Sequence, residues 1–376
     1  MAASLRRTAL HSFHTSCKAR MGPFAGYEMP INYPSGAVRE HLHTRSAASL
    51  FDVSHFGVVE LYGADRVRFI EWLTPAAASS LQCGQAVLTM FLNEHAGVKD
   101  DCIVTKLSDR LVLVVNAGCK EKIIGYMRNM VTSFRGEAVV EHREDCAVLT
   151  LQGPKAAAAL SPYVEGLDKL LFMRALCDAS IRGFRVSTLT RCSYSGEDGF
   201  DIIVRPQDAL PLVELLLKNP DVLPAGLAAR DTLRTEAGLN LYSHELSEEI
   251  NPVAARCMWC VPKHRLEEGG FIGHARLREL SSRPASLVPR VRVGILAGPE
   301  RGPIPRSGTP VFVEDDAVGV VTSGIPSPTL GRNIALGYID RRHSKLGQPV
   351  VLDVRGKRIP AEVVQPRFVP PRYYRG

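Results

Sequence analysis

Hydrophobic and polar positions along the chain follow two periods. Val58 to Tyr62, Gln85 to Leu92 and Leu111 to Val115 are β-branched, aromatic or aliphatic runs of strand length. Among them, Val67, Ile70 and Leu73 recur at helical spacing, with Asp65 near the first turn where a carboxylate suits the helix dipole. Lys120 to Phe134 reads as a second helix. After Cys146 the mixture returns: a strand over Val148 to Leu151, a Gly153-Pro154 break, and a helix through Lys155 to Leu160. Strands Phe184 to Leu189 and Phe200 to Val204 flank the polar hairpin CSYSGEDG, and an amphipathic helix, Asp208 to Lys218, is stopped by Asn219-Pro220. Both blocks mix antiparallel-looking strands with helices, which predicts an α+β layer structure in each. They share no sequence repeat visible by eye.

The Ser- and Pro-rich stretch Ser281 to Pro289 reads as a domain boundary. Beyond it only short strands follow, over 291–296, 310–313, 318–322, 333–339, 350–354 and 360–364. Gly and Pro turns separate them, the pattern of a small β-barrel or sandwich. The expected division is therefore a basic N-terminal segment, residues 1–20, two α+β blocks, residues 21–145 and 146–283, and a β domain, residues 284–376. Residues 1–20 hold four Arg or Lys and no carboxylate before Glu28, which fits a short mitochondrial leader or an N-terminal arm.

Composition narrows the function classes. A chain of 376 residues with 45% apolar and 23% charged residues has ordinary globular values. No apolar run approaches the roughly 20 residues of a membrane span. The net charge of +7 could serve an anionic substrate or an acidic partner. No basic stripe with interleaved aromatics is present, which argues against nucleic acid. The nine Cys are scattered and odd in number, as in a reducing compartment. Cys257 and Cys260 read as small buried hydrophobes, and His41 and His43 as structural, so no metal site is expected.

The chemistry-bearing stretch is Asn93 to Thr105, where a Gly-centred turn delivers Asp100 and Asp101 into the run Cys102-Ile103-Val104. Alternation along a strand sends one carboxylate inward and one outward. An inward carboxylate beside apolar residues acquires a perturbed pKa and with it a chemical use. The plainer reading is a turn whose Asp pair caps its own amides. Phosphate-binding loops, dinucleotide fingerprints, HExxH and GxSxG are absent. Asn116, Tyr194, Glu197, Asp198, Asp201, Arg230 and Tyr373 stand at element ends, and each has a bland reading when taken singly. Glu197-Asp198-Gly199 in particular reads as a solvated hairpin turn.

Taken together the wording is specific. FDVSH from Phe51, DD.IVT from Asp100, NAGC from Asn116, LQGP from Leu151 and Y.GEDGF from Tyr194 occur in order. AGL.ARD.LR.EAGL from Ala225, VTSG.PSP from Val321, ALGY from Ala335 and FV...YY from Phe368 follow. In this order and spacing, from about Arg7 to Gly376, the chain resembles the T-protein family of the glycine cleavage system, the tetrahydrofolate-dependent aminomethyltransferases. The resemblance implies two related, ferredoxin-like folate-binding lobes and a C-terminal β-barrel around a central pocket. It implies that tetrahydrofolate takes the one-carbon unit of an aminomethyl group carried on the dihydrolipoyl arm of the H-protein, with release of ammonia. It links the chain to the P- and L-proteins and to the mitochondrial matrix, with no metal and no flavin. By resemblance Asp101 is the catalytic carboxylate, and Asn116, Tyr194, Asp201, Arg230 and Tyr373 surround the folate. Two positions depart from the family pattern: Asp201 stands where Glu is expected, and Phe56 where Met is expected. Flavin-dependent sarcosine or dimethylglycine dehydrogenases share this body but need a dinucleotide domain that the chain lacks. Folate-binding iron-sulfur assembly factors carry a KGCY.GQE motif, against CSYSGEDG here.

Overall fold

The computed structural model describes residues 4–298 and 302–376. Its first sheet has five strands, in the spatial order Ala86–Leu92, Val98–Lys106, Leu111–Val115, Gly57–Tyr62, Val139–His142. Helices Arg66–Leu73 and Lys120–Ser133 cover one face, where Phe69, Ile70, Leu73, Ile123, Ile124 and Met127 meet Val59, Leu61, Phe91, Cys102, Val104 and Leu113. The apolar positions predicted at helical spacing are the ones that face the sheet, as burial of an apolar stripe requires.

The second sheet has six strands, in the order Arg174–Ile181, Phe184–Arg191, Gly199–Val204, Ala147–Gln152, Ala48–Asp52, Val222–Pro224. Helices Ala156–Leu160 and Pro206–Leu216 pack on its outer face, burying Leu160, Leu212, Val213 and Leu216 against Leu149, Leu151, Phe200 and Ile202. Both layers follow one chain order: strand, helix, three antiparallel strands, helix, strand. Both also have the same spatial order, save that Ala48–Asp52 is inserted before the last strand of the second layer. It lies antiparallel to Ala147–Gln152 and parallel to Val222–Pro224. The two lobes are thus related in topology although their sequences show no repeat.

Inner faces of the two sheets meet in an apolar cluster that includes Phe51, Val58, Val112, Val148, Ile203, Ala229 and Leu233. Near the N-terminus, Leu10 and His14 are buried; the His14 ring stands 2.9 Å from Asp52 and 2.8 Å from the Tyr33 hydroxyl. Thr8 adds a 2.6 Å bond to the same Asp52 carboxylate. Residues Arg20–Phe24 and Tyr27–Asn32 form a separate hairpin.

At the C-terminal end, six strands close into a barrel: Arg290–Ala297, Arg332–Asp340, Asp316–Ser327, Pro310–Val313, Pro349–Val354 and Lys357–Val364, in spatial order. Val293, Ile295, Val311, Val321, Ala335, Leu352 and Val363 fill it. The stretch before the barrel is more structured than its Ser and Pro content suggests. It contains the end of helix His274–Ser282 and a turn of helix, Pro284–Leu287, and Val288 joins the core between lobe and barrel. Helix Leu227–Glu236 ties the barrel on. Arg234 pairs with Glu245 at 2.8 Å and donates to Ser323 at 2.8 Å, while Glu236 accepts from Ser327 at 2.5 Å.

Candidate active site

The site follows from side-chain alternation on two facing sheets. Strand Val98–Lys106 sends Cys102 and Val104 into the helix-side core. Its alternate residues Ile103 and Thr105 line a narrow crevice between the sheets, with Val112, Val114, Thr188, Thr190, Cys192, Asp201 and Ile203. Asp101 shares the parity of Ile103, and Asn116 that of Val114, so both belong to the crevice face, at the end where apolar pairs give way to polar groups. On the opposite sheet Cys192 and Asp201 continue toward Tyr194. Helix Leu227–Glu236, through Ala229 and Leu233 in the inter-sheet cluster, brings Arg230 to the same end.

The carboxylate pair lies within its strand rather than at the mouth of the turn. The turn before it is drawn tight by Asn93, whose Oδ1 accepts from His95 N at 3.0 Å and Gly97 N at 2.8 Å. Gly97 is required there, because a Cβ would meet the Glu248 carbonyl at 1.7 Å. Asp100 is fully buried on the core side and Asp101 is partly accessible. Asn116, the residue facing Asp101 across the ladder, serves both. Its side-chain amide reaches Asp100 Oδ1 at 2.8 Å and Asp101 Oδ1 at 3.0 Å, and its backbone N–H donates to Asp100 Oδ2 at 3.2 Å. Burial pushes both carboxyls above the usual range, and for Asp100 the neighbouring Asp101 charge pushes further. Neither is held by a cation within ion-pair distance among the described residues.

Across the crevice, Arg230 stacks over Tyr194 at 4.6 Å and over Phe56 at 5.7 Å. Its guanidinium makes no ion pair among the described residues, so its donor fork is open to a ligand carboxylate or carbonyl. Burial lowers its affinity for the proton, while the Tyr194 and Asp201 charges restore part of it. Tyr194 donates to the Asn240 carbonyl at 2.5 Å. Asp201 pairs across the sheet with Thr150, and burial raises its carboxyl although Thr150, Cys192 and Arg230 oppose that. Asp101, Asn116, Tyr194, Asp201 and Arg230 are each partly accessible to solvent while deep among protein atoms, which is the signature of a cleft.

Tyr373 is set apart from this group. It stacks on Phe172 with ring centres 4.2 Å apart, and its charged neighbours are Arg367, Arg375, Arg45 and Glu197. Glu197 and Asp198 are not a solvated turn. Both are buried, Glu197 paired with Arg45 at 2.9 Å and Asp198 with Arg191. The partners lie far away in sequence or on a neighbouring strand, so the local text gave no hint of them. Arg45 also pairs with Glu236 at 2.8 Å. Burial would raise the Glu236 carboxyl, but His41, Ser327 and Arg45 outweigh it and hold it down to about 2. His55 went unnoticed in the sequence. It is 1% exposed, neither ring nitrogen has a partner among the described residues, and burial lowers its pKa to about 3. No group of three or more His, Cys, Asp and Glu able to hold a metal occurs among the described residues.

Two facing α+β layers, a polar end to their crevice and an appended barrel define the class of the molecule. The model of the GCVT N-terminal domain matches residues 10–265, and that of the glycine cleavage T-protein C-terminal barrel domain matches residues 290–370. The mitochondrial aminomethyltransferase of Homo sapiens is 40% identical over 378 residues, covering 98% of this chain and 91% of that protein. Its counterpart in Gallus gallus is 40% identical over 376 residues, covering 98% and 94%. The crystal structure of glycine cleavage system aminomethyltransferase T from Bartonella henselae superposes with a TM-score of 0.91 at 36% identity, over 99% of this chain and 100% of that one. The chain belongs to the glycine cleavage T-protein family, the aminomethyltransferases.

Proposed function

We propose that the protein transfers the methylene of an aminomethyl group, held as a thio-aminal on the lipoyl arm of an H-protein, to tetrahydrofolate. Ammonia and the reduced arm are the other products. The observation that carries the reading is the polar end of the inter-sheet crevice. Asp101 and Asn116 stand on one wall there, facing Arg230, which is unpaired among the described residues and lies over the rings of Tyr194 and Phe56. Aromatic faces with one fixed donor fork suit a flat heterocycle bearing a carbonyl.

In this reading Asp101 is the catalytic group. Cleavage of the carbon-sulfur bond leaves positive charge on the one-carbon unit, and a folate nitrogen loses a proton as it attacks. A carboxylate with a raised pKa, fixed by Asn116, stabilises the first and accepts the second near neutral pH. Asn116 positions it, Arg230 and Tyr194 hold the folate ring, and Asp201 replaces the family's Glu at shorter reach. Tyr373, stacked on Phe172 near the C-terminus, is the folate contact proposed from outside this group. Residues 21–145 and 146–283 are the two folate-binding lobes, except that helix Ala37–Ser46 and strand Ala48–Asp52 belong with the second, and the barrel domain runs from 284. The expected setting is the mitochondrial matrix, alongside the P- and L-proteins.

The test is ammonia release from aminomethyl-loaded H-protein with and without tetrahydrofolate. The reading expects release that depends on folate and yields methylene-tetrahydrofolate. Folate-independent or absent release overturns it.

A further inference from the structure

Lys120 is a buried ammonium without an acid. The residue is 5% exposed and makes no ion pair among the described residues. Glu121, beside it in sequence, is taken up by Arg6 at 3.3 Å. The Lys120 Nζ donates instead to two neutral oxygens, the Tyr27 hydroxyl at 2.7 Å and the His55 carbonyl at 3.2 Å. Burial raises the Tyr27 phenol, but Lys120 and Arg6 outweigh it and lower its pKa. Taking a charge out of water without a counter-charge is costly, and an uncharged side chain of equal length would fill the same space. The charge therefore points to a geometric use.

Its surroundings show what that use is. The Lys120 stem lies behind the last rung of the first sheet before the cleft, where Gly57 pairs with Val115. A Cβ at Gly57 would meet Val115 Cγ2 at 2.7 Å and Lys120 Cγ at 2.8 Å, so the glycine makes room for the stem. One step beyond this rung the two strands deliver Phe56 and Asn116. Phe56 leaves a turn closed by its N–H on Val53 O at 3.0 Å, and Lys120 holds the His55 carbonyl of that turn. Asn116 enters a turn closed by Cys119 N on Asn116 O at 3.0 Å, after which Lys120 opens the next helix. One ammonium thus joins the segment that aims Asn116 at Asp101 to the turn that presents Phe56 to Arg230. Its other anchor, Tyr27, begins the strand Tyr27–Asn32, which runs to the start of the Arg230 helix: a Cβ at Gly226 would meet the Ile31 carbonyl at 2.4 Å.

We infer that Lys120 is a positioning residue for the transfer, fixing from behind the spacing of Asn116 and Phe56 and with it the aim of Asp101 across the cleft. The inference rests on the functional reading above. The experiment uses the full chain as wild type, Lys120→Met, Lys120→Arg and Tyr27→Phe, each confirmed folded by circular dichroism and assayed well below its Tm. The kcat and the KM for tetrahydrofolate are measured with aminomethyl-loaded H-protein, and amide hydrogen exchange is followed without substrates.

Lys120→Met should lower kcat by on the order of tenfold, with KM changed less than about threefold, because a small misplacement of an aiming group costs rate more than binding. Lys120→Arg, which keeps the charge and the donors, should recover most of the loss. Tyr27→Phe, which removes one of the two acceptors, should show a smaller loss of the same kind. Hydrogen exchange should quicken in Lys120→Met at residues 53–57 and 116–120 and stay unchanged in the barrel. A folded Lys120→Met protein with wild-type kcat, a loss confined to Tm or KM, or a Lys120→Arg protein as impaired as Lys120→Met overturns the inference. A wild type that releases no ammonia with folate counts against the functional reading instead. Hydrogen exchange then still reads the anchor, and unchanged exchange at those residues overturns it.

Discussion

The two lobes follow the same chain order yet carry opposite kinds of charge. The first places two carboxylates side by side in one strand, with Asn116 donating to both and no cation among their bonded partners. The second buries more charge, and nearly all of it is neutralised: Arg45 with Glu197 and Glu236, Arg191 with Asp198, Arg234 with Glu245. Burial of paired ions fixes geometry, whereas burial of an unpaired carboxylate perturbs its proton affinity. The unpaired arrangement therefore suits chemistry and the paired one support, which Glu60 with Arg110 and Arg143 gives the first lobe too, while Arg230 and Asp201 are unpaired in the second among the described residues.

The comparison breaks most readily at Glu236. Glu236→Gln leaves Arg45 with Glu197 alone and weakens the bonds from Ser327 and Thr329, and should destabilise the fold by about 3–5 kcal/mol, read by chemical denaturation. The exposed pair Lys155 and Asp221, 2.7 Å apart, offers the control. Lys155→Ala should cost less than about 1 kcal/mol.

Arg230→Lys keeps the charge but loses the planar fork stacked on Tyr194. It should raise the KM for tetrahydrofolate by roughly tenfold, or about 1.4 kcal/mol, with little change in Tm. The pH profile sharpens the contrast further. The raised Asp100 and Asp101 carboxyls bind protons more tightly folded than unfolded, so their contribution to stability is present at acid pH and falls as pH rises through their folded values. Glu236 is depressed, so its contribution is present above the ordinary carboxylate range and is lost as pH falls toward about 2. Stability measured against pH should decline from mildly acid to neutral pH in the wild type, and Asp100→Asn should flatten that decline. The smallest effect is expected from Asp201→Glu, which keeps the carboxylate and lengthens its reach by one methylene, and should change kcat/KM by no more than about threefold, or roughly 0.7 kcal/mol.

Much of this was legible in the sequence, for reasons that also explain the gaps. The barrel strands, and the helices Arg66–Leu73, Lys120–Ser133, Ala156–Leu160 and Pro206–Leu216, were read because β-branched runs between Gly and Pro turns, or apolar residues at helical spacing, specify them. Ala48–Asp52 was hidden because its Ala, Ser and Asp are poor strand formers, unlike the β-branched run of its equally buried neighbour Ala147–Gln152, and because its partner strands begin at Ala147 and Val222, far along the chain. The relation between the lobes was invisible because it lies in strand order, which side-chain identity does not encode. Asp101, Asn116, Tyr194 and Arg230 were named from motif wording. Their convergence at one end of a crevice needed the register of two sheets, and the parity that separates Asp101 from Asp100 is set by that register. The burial of Glu197 and Asp198 depended on Arg45 and Arg191, which no local pattern links to them.

The central claim is that Asp101, rather than its buried neighbour Asp100, acts on the reacting groups. Single-turnover transfer from aminomethyl-loaded H-protein, compared for wild type, Asp101→Ala and Asp100→Ala, tests it most directly, with circular dichroism confirming that each variant is folded. The account predicts a rate lower by about 10²–10³-fold for Asp101→Ala, and a much smaller loss for Asp100→Ala. A folded Asp101→Ala protein with near wild-type rate, or an equal collapse in a folded Asp100→Ala protein, would contradict it.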